Sequence, residues 1–262
     1  MKAKTKLFWI LWTAGMLGVL SFLVVDLEAL IRAVPLPEGT PPVELPPAWL
    51  FKIVSLIQPT VIVTVAVLVG VGLASRVGLH APAAEAAANG EPFLQRLKPQ
   101  IVPGVIAGLL SGSTIVLSWV VAKPHFTNEF IERAEEFNKL LPALTRFLFG
   151  GFTEEILLRW GFMTFLVWAA WRLFQKGIGE PKAVYVIAAI IVSALVFGMG
   201  HLPLASMLAG GLSVPLVIYV ITANSILGVA AGFLYWRRGL ESAIIAHISA
   251  HVVLISAIYL AF

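Results

Sequence analysis

Apolar residues in this chain are arranged in long runs rather than in short amphipathic stretches. Residues 7–25 form the first run, and others follow near 49–75, 101–122, 144–174, 184–207, 214–236 and 241–262. At 1.5 Å per residue, about 20 such residues cross a hydrocarbon core of about 30 Å. The pattern predicts an all-α, polytopic membrane helix bundle of seven spans, or eight if the long fourth run or the last one is divided. The first run follows Lys2, Lys4 and Lys6 and is succeeded by Asp26 and Glu28 rather than by a small-residue cleavage site. It therefore reads as a retained span and not as a signal peptide. Residues 1–100 hold an N-terminal pair of spans with their loops, and 101–262 a membrane core, the two forming one integral domain.

The polar intervals give the expected orientation. Lys2, Lys4 and Lys6, then Arg76, Arg96 and Lys98, then Arg172, Lys176 and Lys182, then Arg237 and Arg238 fall in alternate connections. By the positive-inside rule these are cytoplasmic, which puts the N-terminus inside and the C-terminus outside. The remaining loops carry acids, among them Asp26, Glu28, Glu38 and Glu44 and, further on, Glu129, Glu132, Glu135 and Glu136. Six prolines between Pro35 and Pro47 predict an extended connection. Residues 126–141 repeat apolar side chains at helical spacing, with Thr127 or Asn128 available as cap. They predict a helix lying either on the membrane surface or against the protein's own outer face. The alanine-rich stretch 81–90 reads as a flexible linker. Gly104, Gly108 and Gly112, and again Gly228 and Gly232, recur every four residues and predict close helix contact in lipid.

Composition narrows the class. Hydrophobic residues make up 59% and charged residues 12%, against the roughly 25% charged content of soluble domains. With a mean hydropathy of +0.94, disorder and a dissolved monomer are both excluded. The net charge of +4 is spread over the membrane-flanking loops, so the bilayer is the expected partner and nucleic acid is not. There is no cysteine, which removes disulfides, thiol nucleophiles and cysteine zinc sites.

Seven polar residues interrupt the apolar second half: Glu154, Glu155, Arg159, His201, Asn224, His247 and His251. A central charge costs at least about 2.5 to 3.5 kcal/mol on insertion scales, so such residues need partners and mark function. Glu155 and Arg159, four apart, share a helical face and can pair. Glu154 is rotated by about 100° from Glu155 and about 140° from Arg159, so it is expected to meet a different neighbour and to stay available as a base. His247 and His251 also share a face, while His201 follows Gly198 and Gly200 late in the fifth run. The three histidines reach one depth only if the fifth span continues toward Leu208 or the seventh begins late. His80 and His125 lie in loops and read as surface residues, and Asn224 as an interhelical hydrogen-bonding group.

Counting removes most chemistries for cutting a peptide in a membrane. Asp26 is the one aspartate, H-E-x-x-H and G-x-S-x-G are both missing, and thiols are absent. Glutamate-activated water remains. The ordered set Glu154-Glu155-x-x-x-Arg159, Phe197-x-x-x-His201 and His247-x-x-x-His251 resembles the CAAX protease and bacteriocin-processing family, which includes the Rce1-type prenyl proteases, over roughly residues 100–262. The resemblance implies an intramembrane endopeptidase acting on a membrane-associated or lipidated peptide or protein. It implies that Glu154 activates water with help from His201, that Glu155 and Arg159 support it, and that His247 and the residue four later stabilise the oxyanion. His251 departs from the Asn or Asp usual there, and Trp160 separates Arg159 from Gly161 where many members have Arg-Gly.

The resemblance favours metal-free catalysis without a cofactor. Glu154, His201 and His247 would be the ligands if zinc were used instead. A proton-coupled transporter and a noncatalytic membrane scaffold are the competing classes, the former weakened by the lack of internal repeats. The expected location is a prokaryotic plasma membrane.

Overall fold

The computed structural model describes residues 2–32 and 47–260. The proline-rich connection predicted over 35–47, with Glu38 and Glu44, lies outside the described residues except for Pro47. Among the described residues the chain is helical and contains no strand. Seven helical segments are long and apolar enough to cross a membrane. They contain α1 (Ala3–Leu20), α3 (Ala48–Leu73), α5 (Phe93–Ala122), α7 (Ala143–Phe174), α8 (Ala183–Gly200) continued by α9 (Leu202–Ala209), α10 (Val214–Arg237) and α11 (Leu240–Leu260). Three short helices complete the set, α2 (Leu27–Arg32), α4 (Pro82–Asn89) and α6 (Asn128–Leu140). The fourth segment is one span, so the total among the described residues is seven.

The outside of this bundle is oily. Leu110, Leu117 and Val121 of α5 are each about two thirds exposed or more, as are Val184 of α8 and Ile218 of α10 to a similar degree. Packing between spans therefore relies on close backbone approach rather than on a dehydrated apolar core. At Gly108 any Cβ would collide with the Ala246 carbonyl of α11, and at Gly228 it would fall 2.8 Å from Cβ of Ala194 in α8. Ser225 of α10 donates to the Ala194 carbonyl at 3.1 Å in the same contact. Both glycine ladders thus mark the helix contacts their spacing predicts. The helix α5 starts eight residues before the apolar run does, passing through Pro99 and Pro103, since proline is tolerated where neighbouring groups take up the freed carbonyls.

The fifth span runs to Ala209, which meets the first of the two conditions for equal depth of the histidines. It breaks at His201 because Pro203 supplies no backbone N–H and glycines stand at 198 and 200. His201 occupies the joint.

One expectation is corrected and one choice is decided. Residues 82–89 are not a linker but the helix α4, whose Ala83, Ala84, Ala86 and Ala88 are buried. Small side chains let it sit tightly among α1, α5 and α11. Its first N–H groups, from Ala83 and Ala84, donate to Glu241 Oε1 of α11, each at 2.9 Å. The helix α6 is capped by Thr127, whose side chain accepts from the Phe130 N–H. Its apolar face packs on the protein, with Phe130 buried among Ala205, Leu208, Leu216 and Val220. Of the two placements, the one against the protein's own surface is realised.

His80 is exposed, as expected of a surface residue, and it has an acidic partner. Its Nδ1 lies 3.2 Å from Glu85 Oε2, and that hydrogen bond, outweighing burial, holds the imidazole above its ordinary pKa of 6.5. Burial opposes ionisation of Glu85, but bonds from His80 and the Ala81 N–H prevail and keep it below 4.5. The His80 contribution to stability is complete below pH 6.5 and is lost as pH rises through its raised value. The Glu85 contribution is complete above pH 4.5 and is lost as pH falls through its lowered value. Melting curves of the wild type and His80→Ala in detergent should differ most between pH 4.5 and 6.5 and converge at alkaline pH.

Candidate active site

The fourth span is built unusually. Arg146–Glu154 and Ile156–Met163 are π-helical, with Glu155 at their joint. Widened i→i+5 turns recur at functional sites. Gly150 and Gly151 ease the distortion, and the hydroxyl of Thr164 donates to the Arg159 carbonyl at 3.2 Å. The first span braces the segment from outside: Thr153 donates to the Gly15 carbonyl at 2.7 Å, and Gly18 faces the Leu148 carbonyl with no room for a side chain.

Within this span Glu155 and Arg159 are both completely buried, with Nε 3.2 Å from Oε2. The guanidinium has two further anchors. Its Nη2 donates to the Gly228 carbonyl at 2.9 Å, and its Cζ lies 5.3 Å above the centre of the Phe197 ring. The other Glu155 oxygen, Oε1, accepts from Nδ1 of His247 at 2.7 Å. One carboxylate thus joins spans four and seven, while its cation joins spans four and six.

Glu154 differs from Glu155 in almost every respect. Its side chain keeps 19% of its exposure, and Nε2 of His247 lies 3.6 Å from its Oε2. That separation exceeds a direct hydrogen bond. A regular helix would turn Glu154 toward a different neighbour from Glu155. In the wide π turn, successive side chains diverge less, and the two carboxylates reach opposite nitrogens of one imidazole.

His251 stacks on His247, with ring centres 5.0 Å apart and planes inclined by 24°. Both rings lean over Gly150. A Cβ there would come within 2.6 Å of His251 Nε2 and 3.2 Å of His247 Nε2. The Nδ1 of His251 is buried with no hydrogen-bond partner, and the ring interacts electrostatically with His247, Arg146 and His201. His201 stands slightly apart. Its Nδ1 donates to the Phe197 carbonyl at 2.8 Å, leaving Nε2 as its acceptor. No hydrogen bond or ion pair joins it to Glu154 among the described residues. The Phe197 ring links the two halves of the site, 4.9 Å from the His201 ring and 5.8 Å from that of His247.

Glu154, Glu155, Arg159, His247 and His251 therefore converge, with His201 attached through Phe197. Asn224 takes no part: its amide donates to the Val220 carbonyl of its own helix at 2.8 Å, not to another span. Trp160 fills a niche on span two where Gly70 leaves room for the indole. Sequence reasoning did not single out Gly150, and it gave Phe197 a motif position without a role. Gly150 stands four residues before Glu154, a helical spacing that was there to be read. Among the described residues no group of three His, Asp or Glu side chains is disposed to hold a metal ion.

Residues 136–253 match the family model described as type II CAAX prenyl endopeptidase Rce1-like. Over these residues the chain is similar to the Rce1-like family. The match spans α6 to the middle of α11 and contains every residue of the cluster, so the general activity it supports is that of a CAAX-type intramembrane protease. Neither the curated proteins nor the solved structures searched gave a match to the chain.

The ion pair of this core gives a test of stability. Arg159→Met leaves the Glu155 carboxylate buried without its cation, a loss of about 3–5 kcal/mol. The double change Glu155→Gln, Arg159→Met removes both charges and should recover most of it. Thermal unfolding in detergent should rank wild type and double variant together, well above Arg159→Met.

Proposed function

We propose that this protein is an intramembrane endopeptidase in which Glu154 activates the water that hydrolyses a membrane-associated or lipidated peptide. The observation that carries this reading is the contrast between two adjacent carboxylates. Glu155 is sealed between a guanidinium and an imidazole, whereas Glu154 keeps exposure and lies beside an imidazole Nε2 without a direct bond to it.

In this reading Glu154 takes a proton from water as the water oxygen bonds to the scissile carbonyl carbon, and the carbonyl electrons move onto its oxygen. The protonated Nε2 of His247 donates to that oxyanion, with Glu155 holding the ring by Nδ1. Preorganised donors in a dry site contribute about 2.7–4 kcal/mol each. His251, stacked beside it, is the second donor in the place of the usual amide or acid. Collapse of the intermediate expels the amine, which receives the proton held by Glu154. His201 assists through its acceptor nitrogen from across Phe197. The Lys- and Arg-bearing connections, and with them the N-terminus, lie on the cytoplasmic side of a prokaryotic plasma membrane.

Cleavage of a quenched fluorescent farnesylated CAAX peptide, and of the same peptide without its lipid, by protein reconstituted in liposomes tests the proposal. Glu154→Gln should reduce the rate by about 10²–10⁴, the usual contribution of a general base, while preserving the melting temperature. Wild-type turnover by a folded Glu154→Gln variant contradicts it.

A further inference from the structure

A second polar chamber lies at the opposite end of the bundle from α6. It is a half-open pocket of about 360 Å³ lined by the turn after span two, α4, the start of α5 and the end of α10. It is separate from the glutamate site, since Gly239 on its wall precedes His247 by eight residues, or about 12 Å of helix.

The charges around this cavity are unevenly matched. Glu85 is fully used, accepting from the Ala81 N–H at 3.1 Å with one oxygen and meeting His80 with the other. Glu91 has a loose contact with Arg96, at 3.9 Å, with both side chains more than half exposed. The α4 N-terminus is already occupied by Glu241. Two cations are left over. Arg237 and Arg238 both line the cavity and make no ion pair among the described residues. Cζ of Arg237 lies 4.3 Å from the centre of the Trp236 ring, a cation–π contact. Such a contact restrains the guanidinium through its face and leaves its N–H groups able to donate to an anionic acceptor.

We propose that this cavity binds a phosphate-type anion through Arg237 and Arg238. The position favours such a ligand. Trp236 is half-buried at the end of a span, the level at which aromatic side chains meet headgroups, and basic pockets between spans at such a boundary take anionic lipid headgroups. The same chemistry serves free inorganic phosphate. An occupant would tie the turn between spans six and seven to α4. That junction already uses the Leu240 N–H, bonded to the His80 carbonyl at 3.0 Å, so binding stabilises the start of the helix that carries His247 and His251.

Native mass spectrometry and melting curves of the full chain in neutral detergent test this with phosphatidylglycerol, phosphatidylcholine and inorganic phosphate as probes. Wild-type protein should retain phosphatidylglycerol about tenfold better than phosphatidylcholine and melt higher with it, if the source is a lipid. If the source is free phosphate, millimolar phosphate alone should raise the melting temperature and lipid preference should vanish. In either case Arg237→Gln, Arg238→Gln should lose the effect about tenfold or more. So should Asn89→Asp, a near-isosteric change of an exposed residue that places a carboxylate on the cavity wall. Folded variants that keep the wild-type response, or wild-type protein indifferent to all three probes, would overturn the proposal. None of these readouts depends on proteolysis, so the result stands apart from the role of Glu154.

Discussion

A buried carboxylate in a membrane protein must be neutralised, and Glu155 is where this bundle meets that demand. Its two oxygens face an arginine from its own helix and a histidine from span seven, and that arginine reaches span six through Gly228. Three spans are thereby registered against one another in a medium where apolar burial gives no preference between helix faces. The same arrangement fixes which nitrogen of His247 is engaged. With Nδ1 held, Nε2 is presented toward Glu154.

The π-helical fourth span and the glycines around it follow from this constraint. Two adjacent carboxylates approach opposite nitrogens of one ring, and successive side chains of a regular α-helical turn stand about 100° apart. The wider turn brings them together, while Gly150 makes space for the two imidazoles and Thr164 occupies a freed carbonyl. Outside the segment, the first span supplies the Gly15 and Gly18 surface against which the distorted backbone rests. The N-terminal pair of spans therefore contributes to the shape of the site although the family match begins only at residue 136.

Much of the fold was legible in the sequence because hydropathy and bilayer thickness set span lengths almost alone. The seven spans and the Gly104 and Gly228 ladders follow from one-dimensional spacing. The helix α4 did not, since alanine and glycine in a polar stretch say nothing about a buried niche formed by three distant segments. For α6 the pattern showed an apolar face but not what covers it. Within the site, the i to i+4 pairs were visible, as Glu155 and Arg159 show. The approach of both glutamates to His247 was not, because an angular argument assumes 100° per residue and the π turn breaks that assumption. His201 likewise appeared beside Glu154 in motif order, yet its nearest ties are to Phe197.

The division of labour between the two carboxylates is open to direct chemical measurement. Treating the reconstituted protein with a water-soluble carbodiimide and an amine, then mapping the modified residues by mass spectrometry, compares Glu154 and Glu155 in the same molecule. The structure predicts modification at Glu154, protection of Glu155, and loss of peptide cleavage in step with the Glu154 adduct. Preferential labelling of Glu155, or full activity after Glu154 is blocked, would contradict the assignment.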